Sequence, residues 1–572
     1  MKKPNILILM VDEERYPTVY EDKALKEWSL KHLKAQNFLR THGFEFKNHY
    51  AASTACEPSR TSLYTGQYPS LHGVSQTAGA AKQDFDSDMY FLDYNTVPTF
   101  GDYLRISGYT NFWKGKWHAS QADIIEPGPG HTSYLSYTQK GVPNPVAEER
   151  YLNANKLNNY GFDGWIGPEP FGRSPLNSGA STKNKVNGRD IIFANEAIEL
   201  IKSLDNKCED DMPWCIVTSF VNPHDITLYG EVSKLSGNYD FSIDPSVPKI
   251  PRAPTSEEDL STKPRCQESY KEVYQKAFQP SIDSQEYRQL YYSLQLKADK
   301  EMGRVIDALL DSSFYEDTII IFTSDHGDML GAHGGLFQKW YQAYEESIHV
   351  PLIFHNPKLF KKYNSTEIIT SHIDILPTIL SLAHVDKNKT LLELKKSHTE
   401  AIEPVGRDLT PIMFSEEIPA NLYEGIYFMT DDNVTNGLNQ VTLTGLTYKC
   451  VQQPSSIETI VTYIKDSRDV NEKWKLSMYF NNSDFWTTPN KEDKNIIKTI
   501  SDILNEVDIY SINRVDSYKE FELYNLTKDP LEDKNLFNFC KTDEDLKNIA
   551  EKLYCILIEQ RKNKRKYPKS DI

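Results

Sequence analysis

Short runs of consecutive apolar residues alternate along this chain with longer stretches in which apolar residues recur every three or four positions. The apolar runs predict buried β-strands, and they cover residues 5–11, 109–113, 214–221, 318–323 and 350–354. The clearest helical pattern covers residues 287–311. Strands that alternate with helices indicate an α/β fold, in which helices cover both faces of a mostly parallel sheet.

The pattern changes after about residue 415. Residues 424–480 contain several short strand-like pieces separated by polar turns, whereas residues 491–508 and 542–562 have helical patterns. We therefore expect two domains, a larger α/β domain over residues 1–415 and a smaller α+β domain with a basic tail over residues 416–572.

Two irregular stretches, residues 121–190 and 227–265, are rich in Gly, Pro, Asn or Ser and predict long loops that could wall a pocket. The aromatic residues of these loops and of the segment up to residue 280 could line such a pocket, but packing in the core is the commoner role. These aromatic residues include Tyr134, Trp165, Tyr239 and Tyr270.

Composition and charge narrow the class of protein. The 572 residues are 39% hydrophobic and 25% charged, which supplies a core and excludes a disordered or fibrous chain. The net charge of −17 disfavours nucleic acid and anionic membranes as partners. The apolar run from Ile6 to Val11 is too short for a signal peptide or a membrane span. The seven cysteines include no Cys-x-x-Cys pair, which disfavours a disulfide framework. We expect a soluble, cytoplasmic protein.

Ionisable side chains that could act in catalysis or bind a metal follow four of the predicted strands. They are Asp12 and Glu13, then Lys116 and His118, then His224, and finally Asp325 and His326. Because open parallel sheets bind ligands beyond the carboxyl ends of their strands, we expect these side chains to converge on one site. Any single one of them could instead cap a helix or face solvent, but their recurrence at four strand ends favours a site.

The segment CEPSRTSLYTG, residues 56–66, predicts a short helix with Pro58 in its first turn and Gly66 at its end. Cys56 would then lie at the N-terminus, where the helix dipole favours an anion, and Arg60 could reach back toward it. The residues alone leave two alternatives open, a nucleophilic cysteine in an anion-binding setting and an ordinary buried cysteine.

The same segment resembles the Cys-x-Pro-Ser-Arg signature of the type I sulfatases, in which the cysteine is oxidised to formylglycine. Further blocks resemble that family in the same order and span roughly residues 4–536: NILILMVDEE, GYTNFWKGKWH, FVNPH, TSDHGDMLGAHGGLFQKWYQAYEESIHVPLI, HIDILPTIL and ELYNLTKDPLEDKNL. The resemblance implies an alkaline-phosphatase-like α/β fold, with a large, mixed but mostly parallel sheet between helices and a smaller C-terminal α+β domain.

The resemblance also implies a divalent cation site. Its ligands would be Asp12, Glu13, Asp325, His326 and the formylglycine made from Cys56. Many family members carry Asp or Gln at the position of Glu13 and Asn at that of His326. Carboxylate ligands suit Ca²⁺ or Mg²⁺ and an imidazole also suits Mn²⁺, and we expect Ca²⁺.

The catalytic roles follow by the same resemblance. Arg60 would steady the formylglycine hydrate, and Lys116 and Lys339 would bind sulfate oxygens. His118 would act as the base in the release step, and His224 would lie near the leaving-group oxygen. Either His224 or Lys339 would donate the proton to the leaving group.

The expected activity is hydrolysis of a small-molecule sulfate monoester to an alcohol and sulfate, with a formylglycine-generating enzyme as the partner that converts Cys56. Two alternatives remain open. One is a phosphate or phosphonate monoester hydrolase on the same scaffold, although the GKWH block is more typical of sulfatases. The other is a non-catalytic anion-binding protein, if Cys56 stays a thiol. Dimers are common in the family, so a homo-oligomer also remains open.

Overall fold

The computed structural model describes residues 2–79, 81–128, 132–170, 175–180, 182–183, 188–206, 212–414, 417–465, 471–481, 500 and 519–569. Within these residues the strands form two sheets. The strands are β1 (Asn5–Asp12), β2 (Gly43–Tyr50), β3 (Thr110–Gly115), β4 (Trp214–Pro223), β5 (Thr318–Ser324), β6 (Leu352–His355), β7 (Asn364–Ser371), β8 (Ile426–Thr430), β9 (Ser456–Lys465), β10 (Asn471–Phe480) and β11 (Glu520–Asn525).

The helices surround the larger sheet and cover one face of the smaller sheet. They are α1 (Lys23–His32), α2 (Lys34–Thr41), α3 (Cys56–Thr65), α4 (Pro69–His72), α5 (Phe100–Ile106), α6 (Pro145–Ala154), α7 (Arg189–Asp205), α8 (Glu231–Ser236), α9 (Arg265–Ala277), α10 (Gln285–Leu310), α11 (Glu345–Ile348), α12 (Ile375–Leu382), α13 (Lys387–Leu394), α14 (Thr410–Met413) and α15 (Glu544–Lys564). None of the described helices combines the length and the apolar character that crossing a membrane requires.

The larger sheet has the strand order β3-β4-β1-β5-β6-β2-β7. Its strands run in one direction except β6, which pairs antiparallel with both β5 and β2. Ile8 in β1 lies opposite Val217 on one side and Ile321 on the other, so the first strand lies in the interior of the sheet. The predicted α/β fold with a large, mostly parallel sheet is confirmed.

Side chains of β1 alternate between the two faces of this sheet, as period-two patterning requires. Ile6, Ile8 and Met10 pack in a core with residues of α3, α5 and α12. Leu7 and Leu9 pack in another core with residues of α2, α7 and α10. The sheet is therefore covered by helices on both sides, so side chains that meet a ligand must lie at the ends of the strands.

The smaller sheet is antiparallel, in the order β11-β10-β9-β8. On one face Ile460 packs with Leu553 of α15. On the other face Val461 belongs to a core that also contains Tyr270 and Tyr344 from the larger part of the chain. The predicted domain boundary at residues 415–416 lies outside the described residues, as does the predicted helix over 491–508 apart from residue 500.

The stretch predicted as a loop over residues 121–190 contains helix α6. This helix begins at Pro145, and its residues Ala147 and Tyr151 are buried. Proline suits the first turn of a helix because its missing N–H has no partner there in any case. The Gly- and Pro-rich character of the flanking residues therefore masked a helix with few apolar contacts.

The aromatic residues of the loops pack rather than line an open pocket. Trp165 and Tyr270 are 2% and 1% exposed and belong to hydrophobic cores. Tyr134 packs against the same core as Trp165, and Tyr239 stacks on Phe241 at 5.5 Å between ring centroids. The packing role named above as the commoner one is the role observed here.

Candidate functional site

Cys56 is the first residue of α3, as the sequence predicts, and Gly66 ends the helix in a left-handed conformation at φ 62°. The ten residues of this helix are all buried. The Sγ atom of Cys56 lies 3.1 Å from Nε2 of His326 and 3.7 Å from Oδ1 of Asp12. The helix therefore delivers Cys56 to the carboxyl ends of the central strands.

Four of the five predicted cation ligands form one buried cluster. Asp12 ends β1, Asp325 and His326 follow β5, and one ligand atom from each lies within 4.8 Å of the others and of Cys56. Nδ1 of His326 lies 3.0 Å from the carbonyl oxygen of Gly327. If that nitrogen carries the hydrogen, the lone pair of Nε2 faces the cluster, as a metal ligand requires.

Arg60 holds the two carboxylates of this cluster together. Its Nη2 lies 2.9 Å from Asp12, its Nε lies 2.8 Å from Asp325, and all three side chains are fully buried. Burial would raise the pKa of Asp12, but Lys116, His224 and Arg60 outweigh it and hold that pKa well below its usual range. Burial and the charge of Asp12 raise the pKa of Asp325 to about 6. The guanidinium thus offsets the repulsion between two like charges.

The two lysines expected to bind an anion each have a buried acidic partner. Nζ of Lys116 lies 2.6 Å from Asp12, and Nζ of Lys339 lies 2.9 Å from Glu13. Burial alone would lower the pKa of each lysine, but the neighbouring acidic groups raise it instead. Both lysines also act electrostatically on Cys56. Two permanent positive charges therefore lie beside the first residue of α3.

Glu13 lies outside the tight cluster of four. It forms a separate group with Asp12 and His224, in which the ligand atoms lie within 4.8 Å of one another. Its backbone N–H donates to Asp325 at 3.0 Å, and its carboxylate is the partner of Lys339. The structure therefore favours a role for Glu13 in fixing Lys339, which the sequence analysis did not foresee.

His118 lies against Glu57, the residue after Cys56. Its Nε2 is 2.9 Å from Oε1 of Glu57, and its backbone N–H donates to Glu169 at 2.8 Å. Burial lowers the pKa of His118 and raises those of both glutamates, that of Glu169 to about 8. Sequence analysis missed both glutamates, although the position of Glu57 directly after Cys56 in the predicted helix was a signal for it.

His224 is only half-buried and lies near Asp12, within the group that includes Glu13. Burial and the charge of Lys116 lower its pKa well below its usual range. A partly exposed imidazole at the end of β4 is suitably placed to meet a group that enters from solvent.

The thiol of Cys56 is not activated in this setting. Burial and the carboxylate of Asp12 raise its pKa, and the two nearby lysines only partly oppose this. A thiol with a raised pKa stays protonated and is a poor nucleophile. Of the two alternatives that the residues alone left open, a buried and protonated thiol favours the ordinary buried cysteine for the unmodified side chain.

The loop that carries Lys339 is supported by a buried histidine. His333 has its Nδ1 2.8 Å from Glu258 and its Nε2 3.6 Å from Glu346, and its ring stacks on Tyr344 at 3.6 Å. Burial would lower the pKa of His333, but the hydrogen bond with Glu258 and the charges of Glu258 and Glu346 raise it to about 9. A buried cation thus ties this loop to the segment around Glu258.

Comparisons of the sequence with known proteins identify a matching family and several similar proteins. The sequence model of the family described as Sulfatase matches residues 4–385. The uncharacterized sulfatase YidJ of Escherichia coli is 26% identical over 401 residues, which are 68% of this chain and 70% of that protein. The choline-sulfatase of Rhizobium meliloti is 27% identical over 388 residues, 67% of this chain and 68% of that enzyme.

Two solved structures share the fold over almost the whole chain. One is a Bacteroides thetaiotaomicron protein described with a locus for glycosaminoglycan metabolism, with a TM-score of 0.60, 17% identity, and 98% of this chain and 96% of that one covered. The other is the phosphonate monoester hydrolase of Agrobacterium radiobacter, with a TM-score of 0.58, 18% identity and the same coverage. At these identities the likeness concerns the fold alone.

Proposed function

Because the chain belongs to the sulfatase family of sulfuric ester hydrolases, we propose that it hydrolyses a sulfate monoester to an alcohol and sulfate, with formylglycine at position 56 as the nucleophile. The observation that carries this proposal is the placement of Cys56. Its side chain lies among two carboxylates, an imidazole and two lysines, in a buried site that suits an anion.

The formylglycine side chain, once hydrated, would supply a pair of hydroxyl groups that the thiol lacks. A hydrated aldehyde carries two hydroxyl groups on one carbon, so that one can attack sulfur and displace the alcohol while the other expels sulfate and restores the aldehyde. An unmodified thiol at position 56 has no second hydroxyl group and cannot complete this cycle. The conversion requires a formylglycine-generating enzyme, which we propose as a partner.

The donor set around position 56 fits a divalent cation. Asp12, Asp325, His326 and the converted Cys56 would hold it, since two carboxylates and a neutral imidazole are already within 4.8 Å of one another. Carboxylate oxygens favour Ca²⁺ or Mg²⁺ and the imidazole also accepts Mn²⁺, and we propose Ca²⁺ first. The cation would withdraw charge from the sulfate oxygens.

The remaining side chains bind the anion and move protons. Lys116 and Lys339 bind the non-bridging sulfate oxygens, because both remain charged beside position 56. His118, held by Glu57, takes a proton in the release step. His224 would lie near the leaving-group oxygen. Of the two candidate proton donors, Lys339 is the one that stays protonated, because burial and the charge of Lys116 lower the pKa of His224.

Mass spectrometry of the peptide that contains residue 56 tests the first step. The protein should be produced with and without a formylglycine-generating enzyme, and we expect aldehyde and turnover of an aryl sulfate to appear together. The variant C56A is the control and should be inactive in both cases. Full conversion without turnover of any ester would contradict the proposal and favour an anion-binding protein.

Parallel assays with an aryl sulfate and the matching aryl phosphate test the substrate class. We expect the higher kcat/KM for the sulfate, and a large preference for phosphate would assign the site to phosphoryl transfer instead. Chelation followed by addition of Ca²⁺, Mg²⁺ or Mn²⁺ tests the cation. Activity and melting temperature should both fall on chelation and recover best with Ca²⁺.

A further inference from the structure

The loop that precedes Cys56 is held by a segment far along the chain. The backbone N–H of Met429, in β8, donates to the carbonyl oxygen of Ala52 at 3.1 Å. The hydroxyl of Thr430, at the end of the same strand, donates to the carbonyl oxygen of Thr54. The smaller sheet therefore contributes directly to the conformation of residues 52–55.

Asp432, two residues after β8, joins this loop to the loop of the second lysine. Its Oδ2 accepts hydrogen bonds from the backbone N–H of Ala55 at 3.4 Å and from the indole N–H of Trp340 at 3.0 Å. Ala55 directly precedes Cys56, and Trp340 directly follows Lys339. One carboxylate oxygen thus bonds to the chain neighbours of two residues placed in the site.

Both donors need this acceptor. Ala55 is the N-cap residue of α3, and its side chain makes no capping hydrogen bond. The backbone N–H of an N-cap residue has no partner within its own helix, and the carboxylate of Asp432 supplies the acceptor here. A buried indole N–H likewise costs free energy unless it is bonded. Asp432 itself is 3% exposed, so water does not readily replace it.

We propose that Asp432 is a positioning residue for the reaction proposed above, which fixes the separation between position 56 and Lys339. It lies outside residues 4–385, the stretch that the family model matches. The smaller sheet then takes part in assembling the site and does more than cover the larger sheet. The residue acts through its neighbours and touches no reacting atom.

The variants D432A and D432N test the proposal. The alanine removes both hydrogen bonds, whereas the amide oxygen of asparagine can still accept them. We expect D432A to lower kcat by about 10²-fold, the order expected for a misplaced catalytic group, with KM changed by less than about three-fold. D432N should retain most of the turnover. W340F removes one donor alone, and D432A should cost less in that background than in the wild type.

Y68F is the matched control. The phenol of Tyr68 donates to the carbonyl oxygen of Tyr427 in β8 at 2.5 Å, so it joins the same two parts of the chain through a hydrogen bond that involves neither residues 52–55 nor the loop of Lys339. We expect Y68F to lower the melting temperature without lowering kcat per converted enzyme. Equal losses of kcat in Y68F and D432A would show a general structural role and overturn the proposal.

A second measurement is independent of sulfatase activity. Iodoacetamide labelling of the unconverted protein, read by peptide-resolved mass spectrometry, reports how accessible the Cys56 thiol is. Loss of the hydrogen bond to Ala55 should raise the labelling rate at Cys56 about five-fold in D432A, and not in D432N or Y68F. An unchanged labelling rate in D432A would overturn the positioning role, even if the wild type proved inactive on sulfates. A wild type that is inactive on sulfates but shows the expected labelling would overturn only the proposed function.

Discussion

Replacement of His333 by glutamine should change how the stability of the protein depends on pH. The imidazole is fully buried between the carboxylates of Glu258 and Glu346, and the hydrogen bond with Glu258 together with the two negative charges raises its pKa from 6.5 to about 9. A rise of that size corresponds to ~3 kcal/mol of preference for the protonated side chain in the folded state. Because the folded pKa is the higher one, this stabilisation is complete below pH 6.5 and is lost as the pH rises through about 9.

Urea denaturation of the wild type and H333Q at pH 6 and at pH 9.5 measures the effect. The difference in free energy of unfolding between the two proteins should be ~3 kcal/mol larger at pH 6 than at pH 9.5. H384Q, at an exposed histidine, is the control and should show no such change. A difference between wild type and H333Q that stays constant from pH 6 to pH 9.5 would show that His333 does not carry a proton between the two glutamates, and would refute the reasoning.

Three further predictions concern the site and its supporting backbone. K116A should lower kcat by about 10²–10³-fold with little change in KM, measured with an aryl sulfate, because it removes a charge that meets the developing negative charge. K339A should lower kcat similarly and also destabilise the protein by about 1–3 kcal/mol, since it removes the hydrogen-bond donor of the buried Glu13 carboxyl, whose pKa is raised by burial. The double variant K339A/E13Q should recover the stability in urea denaturation but not the turnover, and recovery of both would contradict the assignment of Lys339. G115A should lower the free energy of unfolding by about 3 kcal/mol in the same assay, because Gly115 has φ +91° and an added Cβ would lie 2.0 Å from a backbone oxygen of β4. G73A is the control, at φ +81° with open space around it, and should lower the free energy of unfolding by only about 1–2 kcal/mol.

The strands that the sequence predicts correctly are those with continuous apolar runs. β1, β4 and β5 lie in the centre of the larger sheet and are buried on both faces, which selects for such runs. β2 was not predicted, because its buried face includes polar residues. Glu45 in β2, for example, accepts hydrogen bonds from Arg40 and from the phenol of Tyr363. A buried charge with partners elsewhere in the chain cannot be recognised from a local pattern.

The sequence did not reveal the direction of each strand either. The run over residues 350–354 predicted a strand, and β6 is there, but it runs antiparallel to its neighbours. A hydrophobic run carries no information on direction, which depends on where the preceding loop returns to the sheet. β7 has exposed positions and a polar sequence because it lies at the edge of the sheet, and it was also missed.

For the site, the sequence predicted which residues meet but not all of their partners. Residues at strand ends converge because the carboxyl ends of parallel strands lie at one edge of the sheet, and this placed Asp12 and Asp325 correctly. The pairings of Glu13 with Lys339 and of Glu57 with His118 depend on side-chain directions that no spacing reveals. The bond from Asp432 to Ala55 joins positions 377 residues apart and required the structure.

The double ion pair of Arg60 bears on how the enzyme would acquire its cation. Asp12 and Asp325 already stand side by side with the guanidinium as a resident counter-charge, so an incoming ion would find its carboxylate oxygens gathered rather than having to collect them. Binding of the ion would then require little rearrangement of the backbone. We accordingly expect the ion to exchange while the protein stays folded and the two carboxylates keep their positions.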